Sequence, residues 1–161
     1  MSELSESLRE VMRGWPTGVA VVTSEFNGQK HGMTVNSLAS VSLDPPIITL
    51  SLANQSRTWN LVASSRCFAV TMLDVTQKHI ADIFAGKVAE DEDRFAGVET
   101  MTLVSGAPLI KAGRAHLDCK VLNMIPLHNS TLFVAEVVAA RGDLDRAPLV
   151  YLNREYRQVI L

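Results

Sequence analysis

The chain has 161 residues, 47% hydrophobic and 20% charged, with a formal net charge of −2. That length suits a single domain over residues 1–161 with a sizeable core, and the near-neutral charge lacks the basic footprint of a nucleic-acid binder. Cys67 and Cys119 lie in largely apolar runs and read as free thiols in a reducing compartment, not as a disulfide framework. "MSELSESLREVM" is mixed in charge and predicts no signal peptide. No uncharged apolar run reaches the length of a membrane span, so a cytoplasmic protein without a membrane partner is expected.

Leu4, Leu8, Val11 and Met12 follow helical spacing, with Ser2 as a cap. "GWPTG" breaks that pattern, and "VAVVTS" (19–24) reads as a strand rich in β-branched residues. Asn27-Gly28 is a hairpin signal. The return strand is predicted to run through "GMTVNSLASVSL" to the stop at Pro45-Pro46, and "IITLSL" (47–52) is the next strand. "SRTWNLVASS" predicts a short helix starting near Ser56, and "CFAVTML" a strand. "TQKHIADIFAG" predicts a helix with Ile80, Ile83 and Phe84 on one face and Gly86 as its stop. "KVAEDEDRF" reads as a solvated acidic loop. "AHLDCKVLNMIPL" and "STLFVAEVVAARG" are long strands of a hairpin around His128-Asn129, and "PLVYLNREY" supplies a last strand. Many strands with two or three short helices predict a mainly β fold, a barrel with helices packed on it. There is no repeat, low-complexity tract or domain linker.

Between Gly32 and Leu43 there is no charged residue, yet Thr34, Asn36, Ser37, Ser40 and Ser42 are polar. Strand alternation puts Thr34, Asn36, Leu38, Ser40 and Ser42 on one face. It puts Val35, Ser37, Ala39, Val41 and Leu43 on the other, which is assigned to the core. Two accounts of the polar face stay open: cross-strand Ser/Thr pairing or an exposed sheet face, and a surface that a planar ligand approaches closely. Downstream, Ser56, Arg57 and Thr58 open a helix. Free N–H groups, hydroxyls and a guanidinium there suit a phosphate, although an ordinary N-cap with a surface arginine is the commoner case.

Other chemistry is thinly represented. His31, His79, His116 and His128 are scattered without metal-ligand spacing to the cysteines, and no metal site is expected. No Gly-rich nucleotide loop or Gly-x-Ser-x-Gly is present. His79 reads as a surface or boundary residue. His116 and Asp118 share a strand face and read as a structural pair or a solvated face. No carboxylate pair stands out as acid and base.

"TGVAVVTS", "NGQKHGMTVNSLASVSLDPPIITLSL", "SRT", "FAG", "DRF" and "PLVYLNREY" together resemble the short-chain flavin reductase family, from about Arg13 to Tyr156. The segment Gly32–Leu52 is its specific part. The resemblance implies a split β-barrel of the Greek-key, FMN-binding type and a homodimer. It also implies an NAD(P)H-dependent reductase that reduces FMN or FAD, often for a partner monooxygenase fed by diffusible flavin. Carried onto this chain, Thr34, Val35, Asn36 and Ser37 lie along the isoalloxazine edge, by side chain or backbone, with Ser40 in support. Ser51, Leu52, Ala53 and Asn54 run under the ribityl chain, and Ser56 and Thr58 sit near the phosphate. Phe84, Ala85 and Gly86 close over the flavin, with Arg94 assisting.

One departure concerns the nicotinamide side. Where the family often has Gly-Asp-His, this chain has His128, Asn129 and Ser130, and Ala135 replaces a glycine in the strand that follows. The family histidine aligns with Ser130. His128 and Ser130 are therefore the candidates there, with His128 substituting from two residues away or no histidine needed. FMN versus FAD and NADH versus NADPH stay open. The rival expectations are a tightly held flavin that reduces another small acceptor, a flavin-binding module without reductase activity, and a β-barrel dimer whose hydroxyl face is mere surface.

Overall fold

The computed structural model describes residues 2–89, 92–143 and 145–159. Helix α1 (Glu3–Met12) starts at Ser2, whose hydroxyl accepts from Ser5 N at 3.2 Å, and it buries none of its residues. Strand β1 (Thr17–Gly18) is followed by β2 (Ala20–Phe26) and β3 (Gln29–Val35). These last two are joined by Asn27 and Gly28 at φ 52° and 76°, the left-handed pair a two-residue hairpin requires. Next come β4 (Ala39–Leu43), β5 (Pro46–Ala53), α2 (Arg57–Ser65) and β6 (Cys67–Met72). A 3₁₀ turn over Val75–Gln77, with a capping box on Asp74, leads into α3 (Lys78–Phe84). Gly86, at φ 82°, ends that helix as its position predicts. Strands β7 (Thr100–Met101) and β8 (Leu109–Ile110) form a small pair ahead of the long hairpin β9 (Ala115–Pro126) and β10 (Ser130–Gly142). The chain closes with β11 (Leu149–Leu152) and β12 (Glu155–Gln158).

The mainly β expectation holds, with three α-helices among the described residues. Seven antiparallel strands form the main sheet in the order β3-β2-β6-β9-β10-β5-β4. Strands β3 and β4 are neighbours in sequence but occupy opposite edges. From Val35 to Ala39 the chain takes four Cα steps, at most about 14 Å. Seven strands laid flat would put those edges about 29 Å apart. The sheet must therefore curl until its edges nearly meet, and no ladder joins β3 to β4.

The curl encloses Val22, Leu50, Leu52, Phe68, Val70 and Phe133, with Val62 of α2 packed among them. Val21 on the other face of β2, and Val19 just before the strand, belong to a second cluster with Ile80, Ala81 and Phe84 of α3, Phe95 and Leu149. Strand β2 is thus covered on both faces, which accounts for the unbroken burial of residues 20–24.

Two expectations need correction. The predicted single strand over 32–43 is broken at Asn36–Leu38, where the chain leaves β2 and crosses to β5. Alternation does not survive that crossing, and β4 carries a further register shift between Ser40 and Ser42. Val35 is core, but Val41 and Leu43 are 60% and 88% exposed rather than buried. Ser40 is exposed and Ser42 half-buried. The C-terminal strand is a hairpin of two, turned by Asn153 and Arg154 at φ 52° and 63°.

His79 is exposed. His116 and Asp118 are both buried and serve separate partners. His116 Nε2 meets Ile110 O at 2.8 Å, and the Asp118 carboxylate accepts from Val104 N and Ser105 N at 2.7 and 2.8 Å. Cys67 and Cys119 are free, and burial pushes the Cys119 thiol up to about 12. In the acidic loop, Glu90 and Asp91 lie outside the described residues.

Candidate functional site

Edge strand β3 lies between two helices. Its residues 31, 33 and 35 point toward α2: His31 Nδ1 is 2.9 Å from Thr58 Oγ1, Met33 Sδ is 3.9 Å from Ser56 Oγ, and Val35 joins the core cluster that holds Val62. Residues 32 and 34 point toward α3. Thr34 Oγ1 donates to Ala81 O at 2.7 Å, and a Cβ on Gly32 would stand 3.0 Å from the Phe84 ring.

Helix α2 begins where its sequence predicts. Ser56 is the N-cap and its hydroxyl accepts from Trp59 N at 3.2 Å. The first turn of any helix leaves backbone N–H groups without intrahelical partners and carries the positive end of the dipole. Here that turn borders a cleft of about 860 Å³, walled by β3, the C-terminal end of α3 and the β11–β12 hairpin. Five cations line it (Arg57, Lys78, Lys87, Arg94 and Arg154) against one carboxylate, Glu155. Lys87 is engaged by Asp82 at 2.7 Å, and Glu155 by Arg157 at 2.5 Å.

Arg94 is set by backbone. Its Nη1 donates to Gly32 O at 3.0 Å and to Phe84 O at 3.1 Å, which clamps β3 to the end of α3. A Cβ at position 86 would stand 3.2 Å from Arg94 Nη2, so glycine also gives the guanidinium its room. His31 is half-buried beside this group. Burial, then Arg94, then Arg57, hold its pKa down at about 4, so the imidazole is neutral at pH 7.

The structure brings together Thr34, Val35, Asn36, Ser56, Thr58, Phe84, Ala85 and Arg94 in the wall of this cleft, with Gly86 directly beyond. A second group collects along the ends of β5 and β10. Ser37 Oγ accepts from Ser51 N at 3.0 Å and donates to Ser51 O at 3.2 Å. Ala53 pairs with Ser130, and Asn54 N donates to Asn129 O at 3.1 Å, so the turn carrying exposed His128 abuts residues 53–54. A relay runs from Trp59 Nε1 to Thr131 Oγ1 at 2.9 Å and on to Asn54 Oδ1 at 2.7 Å, tying α2 to this rim. Asn36 and Ser37 join the two groups. Leu52 stands apart with no exposed surface, and Ser40 lies on the outer edge strand.

His31, Met33, Lys78, Lys87 and the hairpin residues Tyr151, Arg154, Glu155 and Tyr156 line the cleft without having been singled out in the sequence. Asn153, a residue type that tolerates positive φ, sits between two short alternating runs and was the available signal for the hairpin.

Fold and cleft together define a curled antiparallel sheet with a cation-lined, nucleotide-sized recess at its open edge. The family described as flavin reductase like domain matches residues 12–159. The chain is 34% identical over 145 residues to the NADH-dependent flavin reductase StyB of Pseudomonas fluorescens, covering 89% of this chain and 82% of that protein. It is 36% identical over 134 residues to a probable flavin reductase of Rhizobium meliloti (strain 1021), covering 83% of this chain but only 42% of that longer protein. The solved NADH:FAD oxidoreductase SgcE6 of Streptomyces globisporus C-1027 superimposes with a TM-score of 0.91 at 30% identity, covering 100% of this chain and 96% of that one. The chain belongs to the flavin reductase like domain family.

Proposed function

We propose that this chain is an NAD(P)H-dependent flavin reductase, a single domain over residues 1–161, that supplies reduced FMN or FAD to a partner monooxygenase. The observation that carries the reading is the convergence of Arg57, Arg94, His31 and the first turn of α2 on one cleft in a flavin reductase like domain. Its relatives support it: StyB is an NADH-dependent flavin reductase and SgcE6 an NADH:FAD oxidoreductase.

The residues present fit a flavin. At about 860 Å³ the cleft lies within the usual range for small-molecule sites. Its cations and helix N-terminus suit a phosphate, and exposed Ala85, next to the buried Phe84, offers an uncharged stretch of wall. A bound flavin supplies the ring that accepts hydride, and the chain supplies placement and electrostatics. Thr34 and Ser37 spend their hydroxyls on Ala81 O and the Ser51 backbone, so their part at the ring edge is played by backbone. Asn36, which lines the cleft and is exposed, is the side chain assigned to the ring edge in this reading. His128 and Ser130, beside Ala53 and Asn54, take the nicotinamide side. Holding donor and acceptor rings together makes hydride transfer effectively unimolecular and needs no acid–base pair.

The curled, unclosed sheet is read as a split Greek-key barrel. A homodimer is part of the reading, supported by exposed Val41, Leu43, Leu122, Ile125 and Leu127. So is a cytoplasmic location; among the described residues no helix is long and apolar enough to cross a membrane. The test is to mix purified protein with NADH or NADPH and FMN or FAD and follow the nicotinamide absorbance. Absence of oxidation with every pair overturns the activity. A serine at position 130, where the resemblance expects histidine, favours one second reading, a flavin-binding module without reductase activity. Flavin binding without nicotinamide oxidation would select it.

A further inference from the structure

His31 is held in a specific electrostatic setting. On the α2 side it meets the Thr58 hydroxyl and the charge of Arg57, and the segment before Phe95 adds Arg94. Its cross-strand partner on β2 is the neutral Ser24. Helix α3, packed on the opposite face of β3, contributes Lys78 to the same cleft. The charges that move His31 are both guanidinium groups, with no carboxylate among them. A half-buried imidazole in such company stays neutral only while the cleft lacks negative charge. A dianion placed among these groups reverses the local field and favours the imidazolium. Arg57, Arg94 and a protonated His31 would then give one phosphate three charged donors beside the first-turn N–H groups.

We propose that His31 takes up a proton when a phosphate monoester docks between Arg57, Arg94 and the first turn of α2, so that the cleft recognises a terminal phosphate dianion. Two nucleotides share that chemistry: FMN through its 5′-phosphate and NADPH through its 2′-phosphate. Riboflavin and NADH lack it, and the bridging phosphates of FAD carry one charge each. The choice of these ligands rests on the flavin reductase reading; the proton uptake itself does not.

Binding raises the histidine's pKa from its free value of about 4. Affinity therefore increases as pH falls through the pKa of the bound state, by up to about tenfold per pH unit for one proton. A phosphate monoester has its own second pKa near about 6, so the window that isolates His31 runs from pH 8 down to 6.5. The experiment follows the His31 ring resonances of the wild-type protein through a pH titration, alone and with inorganic phosphate, FMN or NADPH. Dissociation constants for FMN against riboflavin and NADPH against NADH are measured at pH 8 and 6.5, in wild type and His31→Gln. We expect the His31 pKa to rise with inorganic phosphate and with at least one monoester nucleotide. That nucleotide binds several-fold tighter at pH 6.5 than at pH 8, its counterpart without the monoester does not, and His31→Gln removes the pH dependence. Which pair responds identifies the source of the phosphate. A His31 that stays neutral at pH 6.5 with both nucleotides bound overturns the proposal, as does a His31→Gln effect of equal size at both pH values. Should neither nucleotide bind, FMN and NADPH are excluded as its ligands while a FAD- and NADH-dependent reductase still stands, and the inorganic phosphate titration alone decides on His31.

Discussion

Strands β3 and β4 have opposite fates. Both are edges of the main sheet, and the charge-free stretch from Gly32 to Leu43 supplies the end of β3 and all of β4. Strand β3 is covered on each face, by α2 through His31, Met33 and Val35 and by α3 through Gly32 and Thr34. Strand β4 has no helix over it, and its apolar Val41 and Leu43 point outward. Alternation sorts side chains into two faces, but which face is buried depends on what packs there.

Substitutions along this stretch should show a falling gradient of cost. Gly32→Ala is expected to be the most damaging. Its Cβ would meet the Thr23 methyl at 2.8 Å and the Phe84 ring at 3.0 Å, and overpacking of that kind costs about 1–3 kcal/mol. Urea denaturation reads it as a lowered midpoint, and an unchanged midpoint would mean that α3 does not clamp β3. Thr34→Val should cost about 1 kcal/mol, the net worth of one hydrogen bond. The cost is limited because Ala81 O still accepts from Ala85 N at 2.9 Å. Ser37→Ala removes both bonds to the Ser51 backbone, but at an exposed site, so about 0.5 kcal/mol is expected; amide exchange at Ser51 should quicken. Leu43→Ser should fall within about 0.5 kcal/mol for unfolding of the protomer, while sedimentation should show weaker self-association if β4 carries the dimer contact. A gradient in the reverse order would break the contrast between the two strands.

Local chemistry made several elements legible. The Asn27-Gly28 turn, the Ser2 and Ser56 caps and the Gly86 stop each depend on a few adjacent residues, and all are where the residue types place them. The break at Asn36–Leu38 was not legible, because nothing local in Asn-Ser-Leu announces a chain moving between sheet edges. Only the strand order imposes it. The site divides along the same line. Ser56 to Thr58 could be read as a helix start, Thr34 stood on a polar strand face, and Phe84 entered the site through resemblance. His31 gave no signal, since its importance comes from Thr58, Arg57 and Arg94, which lie far along the chain. The engagement of the Thr34 and Ser37 hydroxyls by backbone was equally hidden, because hydrogen-bond partners depend on tertiary contacts.

The relay from Trp59 through Thr131 to Asn54 has an optical consequence. The chain contains two tryptophans. The indole of Trp59 is half-buried and donates inside the protein, three residues from the α2 cap, whereas Trp15 is 65% exposed. Their emission should separate into a blue component shielded from iodide and a red one quenched by it. The blue component stands next to the first turn of α2, so a phosphate docking there should change its emission without a label.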